Sequence, residues 1–244
     1  MPAAAIFADT QAEPKAIYEW LDRLEVMLPF PVYRVSAGSL IEETLRRRPS
    51  PGGDYIRNYV PAYTREADGA EGFLRMRKCT GDFKIAPIKR KSRELMRAAG
   101  AARIVHWIGI SRDEASRMKP SGVKYIQNHY PLVDAGITRH DCLRWMEKRG
   151  FPRPPKSACS FCPYRNDAGW RELKLHDKAA FEQAAQFERE WNAAVAEDRR
   201  PSKLRGQLFL HRQRVPLDQV DFSNAEDRGQ LNLFNNECEG MCGV

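Results

Sequence analysis

The chain has 244 residues, enough for one good core or for one core with a small appended lobe. Hydrophobic residues make up 42% and charged residues 30%, the balance of a globular protein, and no apolar run approaches the length of a membrane span. Lys and Arg number 40 against 32 Asp and Glu, a net charge of +8 that suits an anionic partner, either a nucleotide or a nucleic-acid backbone.

The opening run, Met1 to Ala8, lacks the basic start of a signal peptide, so the expected location is the cytoplasm. Ala3 to Ala8 reads as a buried strand with Asp9-Thr10 at its end. Ile17, Trp20, Leu21, Leu24 and Met27 recur at helical spacing after Glu13-Pro14, and Pro29 stops that helix. Val32 to Val35 reads as a second strand and Leu40 to Arg48 as a short helix. Pro49 to Arg77, rich in Gly, Pro and Tyr without clear periodicity, is expected to be a long functional loop or lid. A basic helix follows over Phe83 to Ala99, interrupted early by Pro87. Ile104 to Ile110 is the strongest strand, and Tyr125-Ile126 marks another. Thr138 and Asp141 have capping-box spacing for a helix to Lys148, with Gly150 past its end. Asp167 to Leu175 and Asp177 to Ala196 read as helices, and Leu208 to Leu210 as a strand. Alternating strands and helices predict an α/β fold, a parallel twisted sheet flanked by helices with ligands at the carboxyl ends of its strands.

Five of the six cysteines lie in polar, loop-like contexts: Cys79, the Cys159-Ser160-Phe161-Cys162-Pro163 turn, and Cys238 with Cys242 near the end. Thiolates grouped this way suit a soft metal, and a reducing compartment disfavours disulfides. Zinc, a redox dithiol and an iron–sulfur cluster all remain compatible with a Cys-x-x-Cys turn, and Pro163 matches the Cys-Pro ending of cluster-binding runs. Cys142, inside an amphipathic helix beside Leu143 and Met146, is expected in the core. The loop after the strongest strand, Gly109 to Arg117, offers Arg112 and Arg117 as planar donors for phosphate or sulfate, with Asp113 between them. A charged turn capped by Asp113 is the plainer alternative. Lys84 is open to the same two readings. A thiolate on the acidic tail could attack a substrate sulfur, or both tail cysteines could complete a metal site. The five histidines have no ligand-like spacing.

Taken in order, these segments resemble the phosphoadenosine phosphosulfate reductase family of the adenine nucleotide alpha-hydrolase-like superfamily. Asp9-Thr10-Gln11-Ala12-Glu13-Pro14 is similar to the family's adenosine-contacting Asp-Thr-Gly segment. Cys79-Thr80 with Lys84 and Pro87 is similar to its Cys-Cys…Lys…Pro stretch, with Thr80 in place of the second cysteine. Gly109 to Arg117 resembles its substrate loop, and Tyr130-Pro131-Leu132 leading to Cys159-x-x-Cys162 resembles its Pro-Leu…Cys-x-x-Cys region. The superfamily's first strand and Ser-Gly-Gly-x-x-Ser phosphate loop have no counterpart in this chain, Ser50-Pro51-Gly52-Gly53 being a superficial likeness only.

The resemblance implies a nucleotide-binding-like α/β domain over residues 1–150. Residues 151–244 would add the Cys-x-x-Cys turn, helices and a Cys-rich extension packed on the same core. It implies a [4Fe–4S] cluster on Cys79, Cys159, Cys162 and one tail cysteine, Cys238 or else Cys242, the other tail cysteine (Cys242 if Cys238 ligates) being the reactive thiol, with ATP or an adenylyl sulfate as nucleotide. Asp9, Lys84, Arg112, Asp113 and Arg117 would contact the substrate. The expected activity is that of a sulfurtransferase or a sulfonucleotide reductase. An adenine nucleotide, tRNA or DNA, and a sulfur or electron donor protein are the expected partners, with no membrane. The competing expectation is a non-enzymatic, zinc-stapled domain that binds nucleic acid through its basic surface.

Overall fold

The computed structural model describes residues 1–197, 206–224 and 227. Two strands open the chain, β1 (Ala5–Asp9) and β2 (Val32–Ser36), paired in parallel with Asp9 opposite Ser36. The crossover is α1 (Lys15–Met27), which buries Ile17 and Leu21, four residues apart on one face. It ends at Leu28, whose backbone is extended ahead of Pro29, because the proline ring disfavours a helical residue before it. A short helix, α2 (Leu40–Leu45), begins where the Ser39 hydroxyl accepts the Glu42 N–H.

The stretch expected to be a loop is an antiparallel hairpin. Strands β3 (Ala62–Arg65) and β4 (Glu71–Leu74) pair with Ala62 opposite Leu74, and β3 also pairs with β7 (Gln207–Phe209). The hairpin closes through Gly69 at φ +85°, its N–H reaching Glu66 O at 3.0 Å, while the Asp68 carboxylate accepts the Ala70 N–H. A second parallel pair, β5 (Ile104–Trp107) and β6 (Ile126–His129), lies beyond α3 (Ala86–Ala98). The Ser92 hydroxyl of α3 meets His106 Nε2 of β5 at 2.8 Å.

The sequence-based expectation of one parallel sheet therefore needs correction. The protein is mixed α/β with two small parallel sheets flanked by helices, and its third sheet, β4-β3-β7, is antiparallel. Side-chain pattern marks a segment as extended without naming its partner.

Four helices complete the described chain: α4 (Pro131–Asp134), α5 (Arg139–Lys148), α6 (Asp167–His176) and α7 (Lys178–Glu197). The Thr138–Asp141 capping box forms at the start of α5, as its spacing predicts. The long helix α7 turns Phe181, Ala184, Phe187, Glu188, Trp191 and Val195 inward and organises the core. Leu40, Ile56, Val60 and Phe83 from the first part of the chain join Phe161, Trp170, Leu208 and Leu217 from the second in one apolar cluster. Each fully buried side chain of this size contributes about 1.5–3 kcal/mol relative to exposure. Among the described residues, no helix is long and apolar enough to cross a membrane.

Candidate functional site

The turn leaving β1 is built tightly. The Asp9 carboxylate accepts the Gln11 N–H at 2.8 Å and the Tyr18 hydroxyl at 2.9 Å, which lets Gln11 hold a left-handed φ of +58°. Thr10 is fully buried, and its carbonyl accepts the Leu40 N–H. This places Glu13 with its side chain 1% exposed just ahead of α1.

A π-helical turn, Cys79–Ile85, approaches from another direction, anchored by the Cys79 N–H on Tyr59 O at 2.9 Å. An α-helix would set residues five apart about 140° around its axis. The wider π turn brings Cys79 and Lys84 toward a common side. Lys84 Nζ then lies 3.6 Å from Glu13 Oε1.

The third component is the Cys159–Cys162 turn, closed by the Cys162 N–H on Cys159 O. Three devices fix it. The Ser160 N–H bonds Ala12 O at 2.7 Å, tying the turn to the segment that carries Glu13. Phe161 packs on Phe187, ring centroids 4.6 Å apart. The buried Arg165 guanidinium donates to the carbonyls of Ala158 and Cys159. Cys159 Sγ ends 3.2 Å from Thr10 Oγ1 and 3.5 Å from Glu13 Oε1.

Burial pushes the Cys159 thiol up to about 12, with the Glu13 carboxylate adding to the shift and Lys84 opposing it. Burial also raises the Cys79 thiol, against the pull of Lys84 and Arg77. Burial works against the Lys84 charge too, yet Cys159, Glu13, Cys162 and Cys79 together hold its pKa above the ordinary value. Three sulfurs and a carboxylate thus act on one ammonium. Glu13 Oε2 is buried without a hydrogen-bond partner. A thiol at about 12 is protonated at neutral pH unless a cation joins it, and it is the thiolate that binds metal or attacks.

The donor set is soft sulfur beside one carboxylate and one ammonium, and it fits a thiolate-bound metal group in kind. Among the described residues, no three Cys, His, Asp or Glu side chains are grouped as ligands of a single ion. Cys238 and Cys242 lie outside the described residues.

The other predicted residues are placed differently. Asp9 stands at the carboxyl end of β1 but is engaged by Tyr18 and Gln11. Arg112, Asp113 and Arg117 lie on a 3-10 turn after β5. There the Asp113 carboxylate accepts the Arg139 N–H at the start of α5, and Arg117 pairs with Glu114. That is the charged turn weighed as the plainer alternative. A groove of about 440 Å³ beside this turn is lined by Met118, Lys119, Ser121, Asn128 and Tyr130, and by no cysteine. Cys142 is half-buried in α5 rather than in the core.

Sequence reasoning placed Thr10 and Glu13 within the adenosine-contacting segment and missed that both side chains meet Cys159. It also missed Tyr164, whose hydroxyl pKa is raised chiefly by burial, with Arg77 opposing and Cys162 and Cys79 adding to the shift. Its position two residues past the Cys-x-x-Cys turn was the available signal. Comparisons of this chain with protein-family models, with curated proteins and with solved structures give no match.

Proposed function

We propose that the protein is an iron–sulfur-dependent sulfur-transfer or sulfonucleotide-reductase-like enzyme acting on an adenylated or nucleic-acid substrate. One observation carries this reading: Cys159 lies 3.5 Å from the buried Glu13, itself 3.6 Å from Lys84, and Cys79 and Cys162, from segments 80 positions apart, pack against the same cluster as Cys159. One buried and two half-buried thiols in one region have little structural use as free thiols, and they are the donor type that binds iron–sulfur clusters. In this reading the three cysteines hold a [4Fe–4S] cluster with Cys238 as fourth ligand, and Cys242 is the reactive thiol. The cluster, when bound, supplies a site for sulfur or electron transfer.

The chain's own groups prepare that site. Lys84 offsets thiolate charge, Thr10 offers a hydroxyl to Cys159, and Arg165 with Phe161 keeps the Cys-x-x-Cys turn in register. Asp9 would take the adenosine by exchanging its Tyr18 bond for a ribose hydroxyl, and Arg112 and Arg117 would meet phosphate. ATP or an adenylyl sulfate, tRNA or DNA, and a sulfur or electron donor protein are the corresponding ligands and partners. The adenine nucleotide alpha-hydrolase-like sheet belongs to the same proposal.

The test is anaerobic purification with iron, zinc and acid-labile sulfide analysis of wild type and Cys159→Ala, circular dichroism confirming that the variant is folded. Iron and sulfide in the wild type, lost in the folded variant, support the reading. Zinc without sulfide replaces it with a structural metal site on a nucleic-acid-binding domain, and absence of both metals returns the cysteines to thiol chemistry.

A further inference from the structure

Beside the thiols, aromatic rings and guanidinium groups alternate across the β3–β4 hairpin. Tyr164 carries the Arg77 guanidinium 5.2 Å from its ring centroid and takes the edge of Phe73 at 5.6 Å. Phe73 lies 4.7 Å from Tyr63, over which Arg214 sits at 5.5 Å. Farther along, Arg57 lies 5.7 Å from the ring of Tyr59, which is buried in the core and not part of this face, and the Tyr59 carbonyl holds the Cys79 N–H. Arg77 lies two residues before Cys79 and Tyr164 two residues after Cys162, so the stacked Tyr164–Arg77 pair stands at the edge of the thiol site.

Cations predominate on this surface, with Glu66 and Asp68 set apart at the tip of the hairpin. Arg57, Arg75, Arg77 and Lys78 are exposed. Of the nearby carboxylates, Glu71 is paired with Arg65 and Arg214, and Asp82 faces Arg57. Cations meet phosphates, whereas aromatic faces capped by guanidinium meet bases, and only an unstacked base can lie against a ring. A free nucleotide would use one ring and one or two cations. Rings and cations spread over a hairpin suit a strand.

We propose that this face binds single-stranded nucleic acid, with one base lying against the Tyr164–Arg77 pair beside the thiols. The assignment rests on the reading of the protein as an enzyme of nucleic-acid substrates, and it adds where the strand lies and that it is unpaired there. Removing one cation that neutralises a phosphate of a single strand makes the slope of log affinity against log salt less negative by about 0.7. Removing the ring under one stacked base weakens binding by about tenfold or more.

Fluorescence anisotropy of the full chain, with short mixed-sequence RNA and DNA oligonucleotides as single strands and as duplexes, tests this. Iron content is determined on each sample. Expected are salt-dependent binding that favours single strands, about tenfold weakening in Tyr164→Ala, and a shallower salt slope in Arg77→Ala. Tyr164→Phe, which keeps the ring, and Arg23→Ala, on the exposed face of α1, bind as wild type. Preference for duplex, no binding, or equal affinity in all variants overturns the proposal. Binding of the expected pattern by protein without iron upholds this surface and removes the cluster reading, whereas iron without binding removes this surface alone.

Discussion

Replacing Glu188 by Gln tests how the core holds the segment between β7 and the 3-10 turn at Leu217. Glu188 is 3% exposed; one carboxylate oxygen accepts the Leu210 N–H at 2.6 Å and the other the Leu217 N–H at 2.8 Å. In Gln one oxygen becomes an NH2 group, which faces an amide donor with another donor. A buried donor left unsatisfied costs about 1–3 kcal/mol. Charge opposes this loss. Burial raises the Glu188 carboxyl to about 7 despite its two amide bonds, from an ordinary 4.5. The folded state thus holds the proton more tightly than the unfolded state. That contribution to stability is full below about pH 4.5 and is lost as pH rises through about 7, a change of about 3 kcal/mol. Gln has no such titration. Chemical-denaturant unfolding at a series of pH values should find wild type more stable by about 1–3 kcal/mol near pH 5, with the two proteins converging or crossing by about pH 8. A gap that stays constant or widens with pH would refute the account, because the carboxylate would then be stabilising in its ionised form.

Other outcomes follow from local geometry. Gly206→Ala should cost roughly 2–5 kcal/mol in denaturant unfolding, because φ is +77° and a Cβ would stand 2.3 Å from Arg65 O; wild-type stability in this variant would contradict the close approach. Thr138→Ala removes the capping hydroxyl of α5 and should lower stability by about 1 kcal/mol, a drop of a few degrees in Tm; Thr138→Ser should restore most of it. In metal-free protein, iodoacetamide followed by peptide mass spectrometry should label Cys142 and Cys162 before Cys159, which is 7% exposed with its thiol held near 12. Faster labelling of Cys159 than of Cys142 would contradict that burial.

What could be read from the sequence was what depends on neighbours along the chain. The α5 capping box, the stop of α1 before Pro29, and the helices on either side of Asp177 follow from local spacing and appear as expected. The hairpin at 62–74 was hidden because each strand has only four residues, and because β3 is completed by β7 more than a hundred positions later. The Asp68-Gly69 pair was the one turn signal inside it. Glu13 was unreadable as a neighbour of the thiols, since its role comes from burial against Lys84 and Cys159 rather than from its own segment. The converse holds for Arg112 and Arg117: their side chains looked like anion donors, and local pairing accounts for Arg117 and for the Asp113 between them.

The π turn makes the position of Cys79 depend on the hydrogen-bond ladder rather than on residue identity. Helix α3 is fixed downstream by packing against β1 and β2, and the Tyr59 carbonyl fixes the chain upstream. Removing one residue, Gly81 for example, would allow the ladder to tighten to ordinary α pairing at little cost to the fold. Cys79 would then stand four residues before Lys84, about 40° around the axis and still on its side. Deletion at this place would thus leave both the core and the approach of Cys79 to Lys84 intact, whereas ordinary α pairing with the residue count preserved would part them by about 140°.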